Sequence, residues 1–131
     1  PVGKAFADKH RSAGVQSGDL LVGEVADATV LVVDDLISTG ATLVRAARAA
    51  RQAGAKRVIA LAAHGLFMPG AEELLADPAI ERLVVTDSVP PFRLASSRLS
   101  AKLEVVACAP LLAAAIARLA TGAPLTDLLV F

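Results

Sequence analysis

A chain of 131 residues suits one domain, and 55% hydrophobic residues are ample for a core, so global disorder is excluded. Thirteen Lys and Arg balance thirteen Asp and Glu, which leaves no electrostatic footprint for nucleic acid or an anionic membrane. The longest apolar run, around residues 105 to 117, is broken by Pro110 and is shorter than the roughly 20 residues a spanning helix requires.

Charged and polar residues crowd positions 4 to 19, unlike a signal peptide. The segment from Asp8 to Gly23 has little apolar periodicity and reads as a loop or loose hairpin. Lys9 and Arg11 lie two apart, on one side of the chain if it is extended, where two cations could close over a phosphate chain.

Four consecutive aliphatic residues, Val30 to Val33, predict a strand buried on both faces that ends at Asp34 and Asp35. Ser38-Thr39-Gly40 then turns into an alanine-rich helix over 41–53, closed by Gly54. A helix N-terminus offers unpaired N–H groups and a positive dipole end to an anion, whereas the adjacent carboxylates repel one. A ligand with phosphate at one end and hydroxyls or a metal ion at the other satisfies both. Asp34 and Asp35 can accept from vicinal ribose hydroxyls, Gly40 lets the backbone close on the phosphate, and Thr39 and Thr42 add hydroxyl donors. On this reading Gly40→Val blocks the phosphate and leaves the fold largely intact. Arg45, Arg48 and Arg51 are read as a solvated helix face.

A second strand is expected over 57–63, ending at His64-Gly65, with His64 a structural histidine bonded to backbone and given no catalytic role. A short helix runs from Pro69 to about Ala76, and a third strand over 82–85 ends in Thr86-Asp87-Ser88, either a satisfied turn or a ligand contact. Residues 90–102 read as a surface loop. A last strand covers 103–107, with Cys108 a buried thiol in its apolar pattern. The helix from Pro110 to Ala120 has Arg118 as its one charge, so it is either internal or covered by another chain or domain. One cysteine permits no internal disulfide, and a reducing cytoplasm is the expected setting. Alternating strands and helices predict an α/β fold, an open, mainly parallel sheet flanked by helices.

Val32-Val33-Asp34-Asp35-Leu36-Ile37-Ser38-Thr39-Gly40-Ala41-Thr42-Leu43 resembles the ribose-phosphate loop of type I phosphoribosyltransferases. Asp8-Lys9-His10-Arg11 before it narrows the resemblance, as do Ala63-His64-Gly65-Leu66-Phe67, Leu83-Val84-Val85-Thr86-Asp87-Ser88-Val89-Pro90 and Ala109-Pro110-Leu111-Leu112-Ala113-Ala114-Ala115-Ile116 after it. In that order they resemble the C-terminal half of the ribose-phosphate pyrophosphokinase family, over nearly the whole chain from Asp8 onward.

The resemblance implies a phosphoribosyltransferase-like domain over 1–131 and transfer of diphosphate from Mg-ATP to ribose 5-phosphate, giving phosphoribosyl pyrophosphate (PRPP). It assigns the ribose hydroxyls to Asp34 and Asp35, the 5-phosphate to Ser38, Thr39, Gly40, Ala41 and Thr42, and the transferring diphosphoryl group to catalytic Lys9 and Arg11. The family's Asp-x-Gly-Gly-like metal turn lies before the Asp-Lys-x-Arg segment. Pro1 to Phe6 is too short to hold it, so an absent N-terminal domain is expected and the Mg2+ ligands stay unidentified. Such a chain is expected to be incomplete for catalysis alone and to form a homo-oligomer. Two rivals remain: a phosphoribosyltransferase using PRPP as substrate, and a non-catalytic synthetase-associated or regulatory protein.

Overall fold

The computed structural model describes residues 3, 6–12, 15–94 and 99–129, with side chains described from residue 23 onward. Strands β1 (Phe6–Ser12) and β2 (Val15–Val22) form an antiparallel hairpin. It is the loose hairpin of the two possibilities, irregular between Lys9 and Arg11, which pair through backbone with Asp19 and Gln16.

The rest is a four-stranded parallel sheet in the order β3 (Thr29–Ile37), β4 (Arg57–Gly65), β5 (Arg82–Thr86), β6 (Leu103–Val106). Helix α1 (Ala41–Gln52) connects β3 to β4, and the short α2 (Ala71–Leu75) lies between β4 and β5. Each connection steps to the next strand in one direction, so right-handed crossovers bring α1 and α2 to the same face. There Leu43, Val44 and Ala47 of α1 join Leu75 of α2, and these meet Val58, Ala60, Leu83 and Val85 of the sheet in one buried cluster. Helix α1 ends where the sequence places its stop, with Gly54 in the left-handed region at φ 91°.

The β3 strand departs from the expectation of burial on both faces. Val30 and Val32 pack against the core, but Leu31 and Val33 on the opposite face are 56% and 74% exposed. A local run of aliphatics records that a strand is apolar on both sides, and not whether a second layer is present to cover it. Nor does β3 stop at Asp34: it continues to Ile37, because Leu36 and Ile37 keep pairing with His64 and Gly65 of β4.

Helix α3 (Ala109–Thr121) closes at Gly122, φ 69°, as its sequence predicts. Among the described residues it is not internal. None of its side chains is buried, and Leu111, Leu112, Ile116 and Leu119 are each more than half exposed. The strand expected through Ala107 ends at Val106, and Cys108 is a partly buried residue at the start of α3 instead of a strand thiol. Its N–H donates to Asp87 Oδ1 at 2.7 Å, which ties the helix start to the turn after β5. No helix among the described residues is long and apolar enough to cross a membrane.

Candidate functional site

Ligands of open parallel sheets bind beyond the C-terminal ends of the strands, and here that edge gathers the ends of β3, β4 and β5. From β3 it receives Asp34, half-buried and paired in register with Ala62, and Asp35, which is exposed. The Asp35 N–H donates to Asp34 Oδ1 at 3.0 Å. Among the described residues neither carboxylate has a cationic partner.

The Ser38-Thr39-Gly40 turn follows directly. Gly40 is the residue before α1, with φ 83°, and the first helical bond runs from Val44 N–H to its carbonyl at 3.0 Å. No side chain caps the helix closely: Ala41 N–H reaches Thr39 Oγ1 only at 3.5 Å. With Ala41 N–H on the Thr39 hydroxyl and Val44 N–H on Gly40, the N–H groups of Thr42 and Leu43 remain available to an anion in the way a phosphate-binding helix start requires.

The turn is held from beneath. Leu66 N–H donates to Ile37 O at 2.9 Å and Met68 N–H to Ser38 O at 2.9 Å, so the segment leaving β4 carries the loop. That segment is bent at Phe67, which is buried with φ 47° and packs so closely on Gly65 that a Cβ there would lie 2.5 Å from its ring. Arg93 Nη1 donates to Leu66 O at 3.1 Å while its guanidinium lies 4.6 Å from the centre of the Phe92 ring.

Gly40 is required by more than an approaching ligand. A Cβ built on it would stand 2.6 Å from Leu75 Cδ2, a fully buried side chain, and the backbone already sits in the left-handed region. The expectation that Gly40→Val spares the fold is therefore overturned. The sequence could not show it, since the contact comes from α2, far along the chain.

At the end of β4, His64 is exposed and its Nδ1 lies 2.7 Å from Ser88 Oγ. The expected backbone partner is replaced by a hydroxyl. Thr86 Oγ1 lies 2.6 Å from Ala63 O and 2.8 Å from Ser88 Oγ, so the Thr86-Asp87-Ser88 turn is largely satisfied within the protein. Ala62 pairs with Val85 in parallel register, and counting one to three residues onward along both strands would have brought these polar groups together.

The structure thus gathers Asp34, Asp35, Ser38, Thr39, Gly40, Ala41 and Thr42 at one edge. The side chains of Lys9 and Arg11 lie outside the described residues. Among the described residues no three of His, Cys, Asp and Glu come together as a metal centre.

A family model described as "Phosphoribosyl synthetase-associated domain" matches residues 15–129. The ribose-phosphate pyrophosphokinase of Haemophilus ducreyi is 41% identical over 118 residues, 88% of this chain and 36% of that protein. The protein of the same name from Prochlorococcus marinus strain MIT 9313 is 41% identical over 117 residues, 88% of this chain and 34% of its own length. Among solved structures, phosphoribosylpyrophosphate synthetase from Mycobacterium smegmatis matches with a TM-score of 0.68 at 33% identity, covering 78% of this chain and 33% of that one. The chain spans about a third of the length of these relatives.

Proposed function

The chain belongs to the phosphoribosyl synthetase-associated domain family, and on that premise we propose that it is the ribose-5-phosphate-binding part of a ribose-phosphate diphosphokinase. The observation that carries this reading is the open start of α1 beside two carboxylates without cationic partners among the described residues. Phosphate is drawn to the unpaired N–H groups and the positive dipole end, while Asp34 and Asp35 accept from sugar hydroxyls at the other end of the same ligand. Ser38, Thr39, Gly40, Ala41 and Thr42 hold the 5-phosphate. The relatives' names support a synthetase over an enzyme that attaches a base to PRPP.

In the proposed reaction the anomeric hydroxyl of ribose 5-phosphate attacks the β-phosphorus of ATP, the bond between the α- and β-phosphoryl groups breaks, and AMP leaves with the formation of PRPP. Lys9 and Arg11 neutralise charge on the transferred group, an interaction strongest in the transition state. Magnesium enters with the ATP, and no residue of this chain is proposed as its ligand. Residues 1–131 form one phosphoribosyltransferase-like domain, with a cytoplasmic setting and no nucleic-acid or membrane partner. Calorimetric titration with ribose 5-phosphate tests the reading: saturable binding to the wild-type chain is expected, and no binding removes the loop from the function.

The exposed apolar side of α3 is assigned to a homo-oligomer contact, since Leu111, Leu112, Ile116 and Leu119 offer a continuous apolar surface. Sedimentation at rising protein concentration is expected to show self-association that Ile116→Glu and Leu112→Glu weaken. A monomer throughout, unaffected by both changes, removes that contact.

A further inference from the structure

The His64 cluster contains more short contacts than it has hydroxyl protons. Three contacts are close: Thr86 Oγ1 to Ala63 O at 2.6 Å, Thr86 Oγ1 to Ser88 Oγ at 2.8 Å, and Ser88 Oγ to His64 Nδ1 at 2.7 Å. Each needs one proton, because two oxygens, or an oxygen and a bare ring nitrogen, repel at that range. The two hydroxyls supply only two.

Ala63 O is an acceptor only, so the Thr86 proton goes there. The Ser88 hydroxyl has acceptors of its own within the turn, Ala63 O at 3.1 Å and Thr86 Oγ1 at 2.8 Å, and Thr86 Oγ1 also accepts Ser88 N–H at 3.2 Å. The third proton must come from the imidazole. His64 therefore donates from Nδ1, and its neutral form presents Nε2 as a bare acceptor. Among the described residues Nε2 has no donor.

That acceptor sits at an edge already rich in acceptors. Leu36 pairs with His64 in parallel register, two residues beyond the pairing of Asp34 with Ala62. Two carboxylates without a cationic partner among the described residues, together with one bare ring nitrogen, call for a ligand that donates several protons from neutral groups, as a sugar does.

We propose that His64 Nε2 is a third hydroxyl acceptor of the sugar-phosphate site, and that Ser88 is the positioning residue that holds the imidazole in the required tautomer. The assignment rests on the functional reading above. It gives His64 a role in recognising the sugar and none in holding the phosphate, which belongs to the turn and the start of α1.

Calorimetric titration of wild type, His64→Ala, His64→Gln and Ser88→Ala with ribose 5-phosphate and with inorganic phosphate tests this, with 15N spectra reporting the His64 tautomer. His64→Ala is expected to weaken ribose 5-phosphate about tenfold, while inorganic phosphate binds as before. His64→Gln, whose side-chain oxygen can accept, recovers part of the loss. Ser88→Ala mixes the two tautomers in the 15N spectrum and weakens the sugar phosphate by an intermediate factor.

Wild-type protein that binds neither ligand overturns the functional reading and this assignment with it. Wild-type binding of ribose 5-phosphate that survives His64→Ala unchanged, or an equal loss for both ligands, overturns the role of His64 alone. An Nε2–H tautomer in the wild type overturns the role of Ser88.

Discussion

The two ends of the parallel sheet treat charge in opposite ways. At the N-terminal end, charged groups are matched to one another. Arg57 forms a forked pair with Glu81, Nη2 to Oε1 at 2.6 Å, Arg82 pairs with Glu104, and Arg48 with Asp77. Lys102 Nζ donates to the carbonyls of Asp77 and Ile80 at 2.9 and 3.2 Å, and Arg51 donates to Ala79 and Lys56 carbonyls. At the C-terminal end, Asp34 and Asp35 have no cationic partner among the described residues, and neither has His64 Nε2 a donor. One end ties the connections to the sheet, and the other keeps polar capacity for a ligand. Exposed pairs such as Arg57–Glu81 are screened by solvent and add little, so the contrast depends chiefly on Asp77, whose side chain is 11% exposed.

The largest expected effect blurs this division, because the ligand end also contains a structural keystone. Gly40→Val is expected to destabilise the chain by about 3 kcal/mol or more, from left-handed backbone strain and from a collision with Leu75. Urea denaturation measures it. Gly70→Ala is the control: Gly70 has φ 85° but open space where a Cβ would stand, so it loses about 1 kcal/mol from strain alone. Equal losses at the two positions would mean that Leu75 yields and that Gly40 serves only the ligand.

Asp77→Asn sharpens the contrast at the other end. Burial works to raise the Asp77 pKa, but the Ala79 N–H at 2.8 Å, Arg48 and the nearby Lys102 outweigh it and hold the carboxyl below its ordinary value of 3.8. A depressed folded-state pKa means stabilisation that is present above the unfolded value and lost as pH falls through the folded one. The variant is expected to lose about 2 kcal/mol near neutral pH, with the gap from wild type closing below pH 3.8. Denaturation curves across that range check it. A gap that stays constant into acid would show that the loss does not come from the charge of the carboxylate, since asparagine keeps an oxygen for the Ala79 N–H.

How far each end could be read from sequence follows from the range of the interactions. The element order was legible because its signals are local: the aliphatic runs of β3 to β5, the stops at Gly54 and Gly122, and the Asp77-Pro78 break after α2. Asp34 through Thr42 was legible for the same reason, a strand, turn and helix start in one short stretch. The pairings of Arg48 and Arg51 were not. On a helical wheel they are a polar stripe, and only the path of the chain after α2 brings Asp77 and the Ala79 carbonyl to them. The His64–Ser88 bond and the Gly40–Leu75 contact likewise join residues more than twenty positions apart. The bare side of β3 illustrates a different limit. Its residues are apolar enough for burial, but what covers a face is not written in the strand itself.

The smallest expected effect on stability comes from the same chemical change at the opposite end. Asp34→Asn removes a charge that has no cationic partner among the described residues and stands next to that of Asp35, so no ion pair there is lost and a repulsion is relieved. Asparagine keeps a side-chain oxygen for the Asp35 N–H that Asp34 Oδ1 accepts at 3.0 Å, and the stability change is expected to stay within about 0.5 kcal/mol. Ribose 5-phosphate affinity should nevertheless fall by about tenfold, because a charged acceptor for a sugar hydroxyl is replaced by a weaker neutral one. Denaturation and calorimetry on the same preparation separate the two quantities. If stability fell at Asp34 as it does at Asp77, the carboxylate would be a scaffold group, and the division between the ends would fail at the residue on which it depends most.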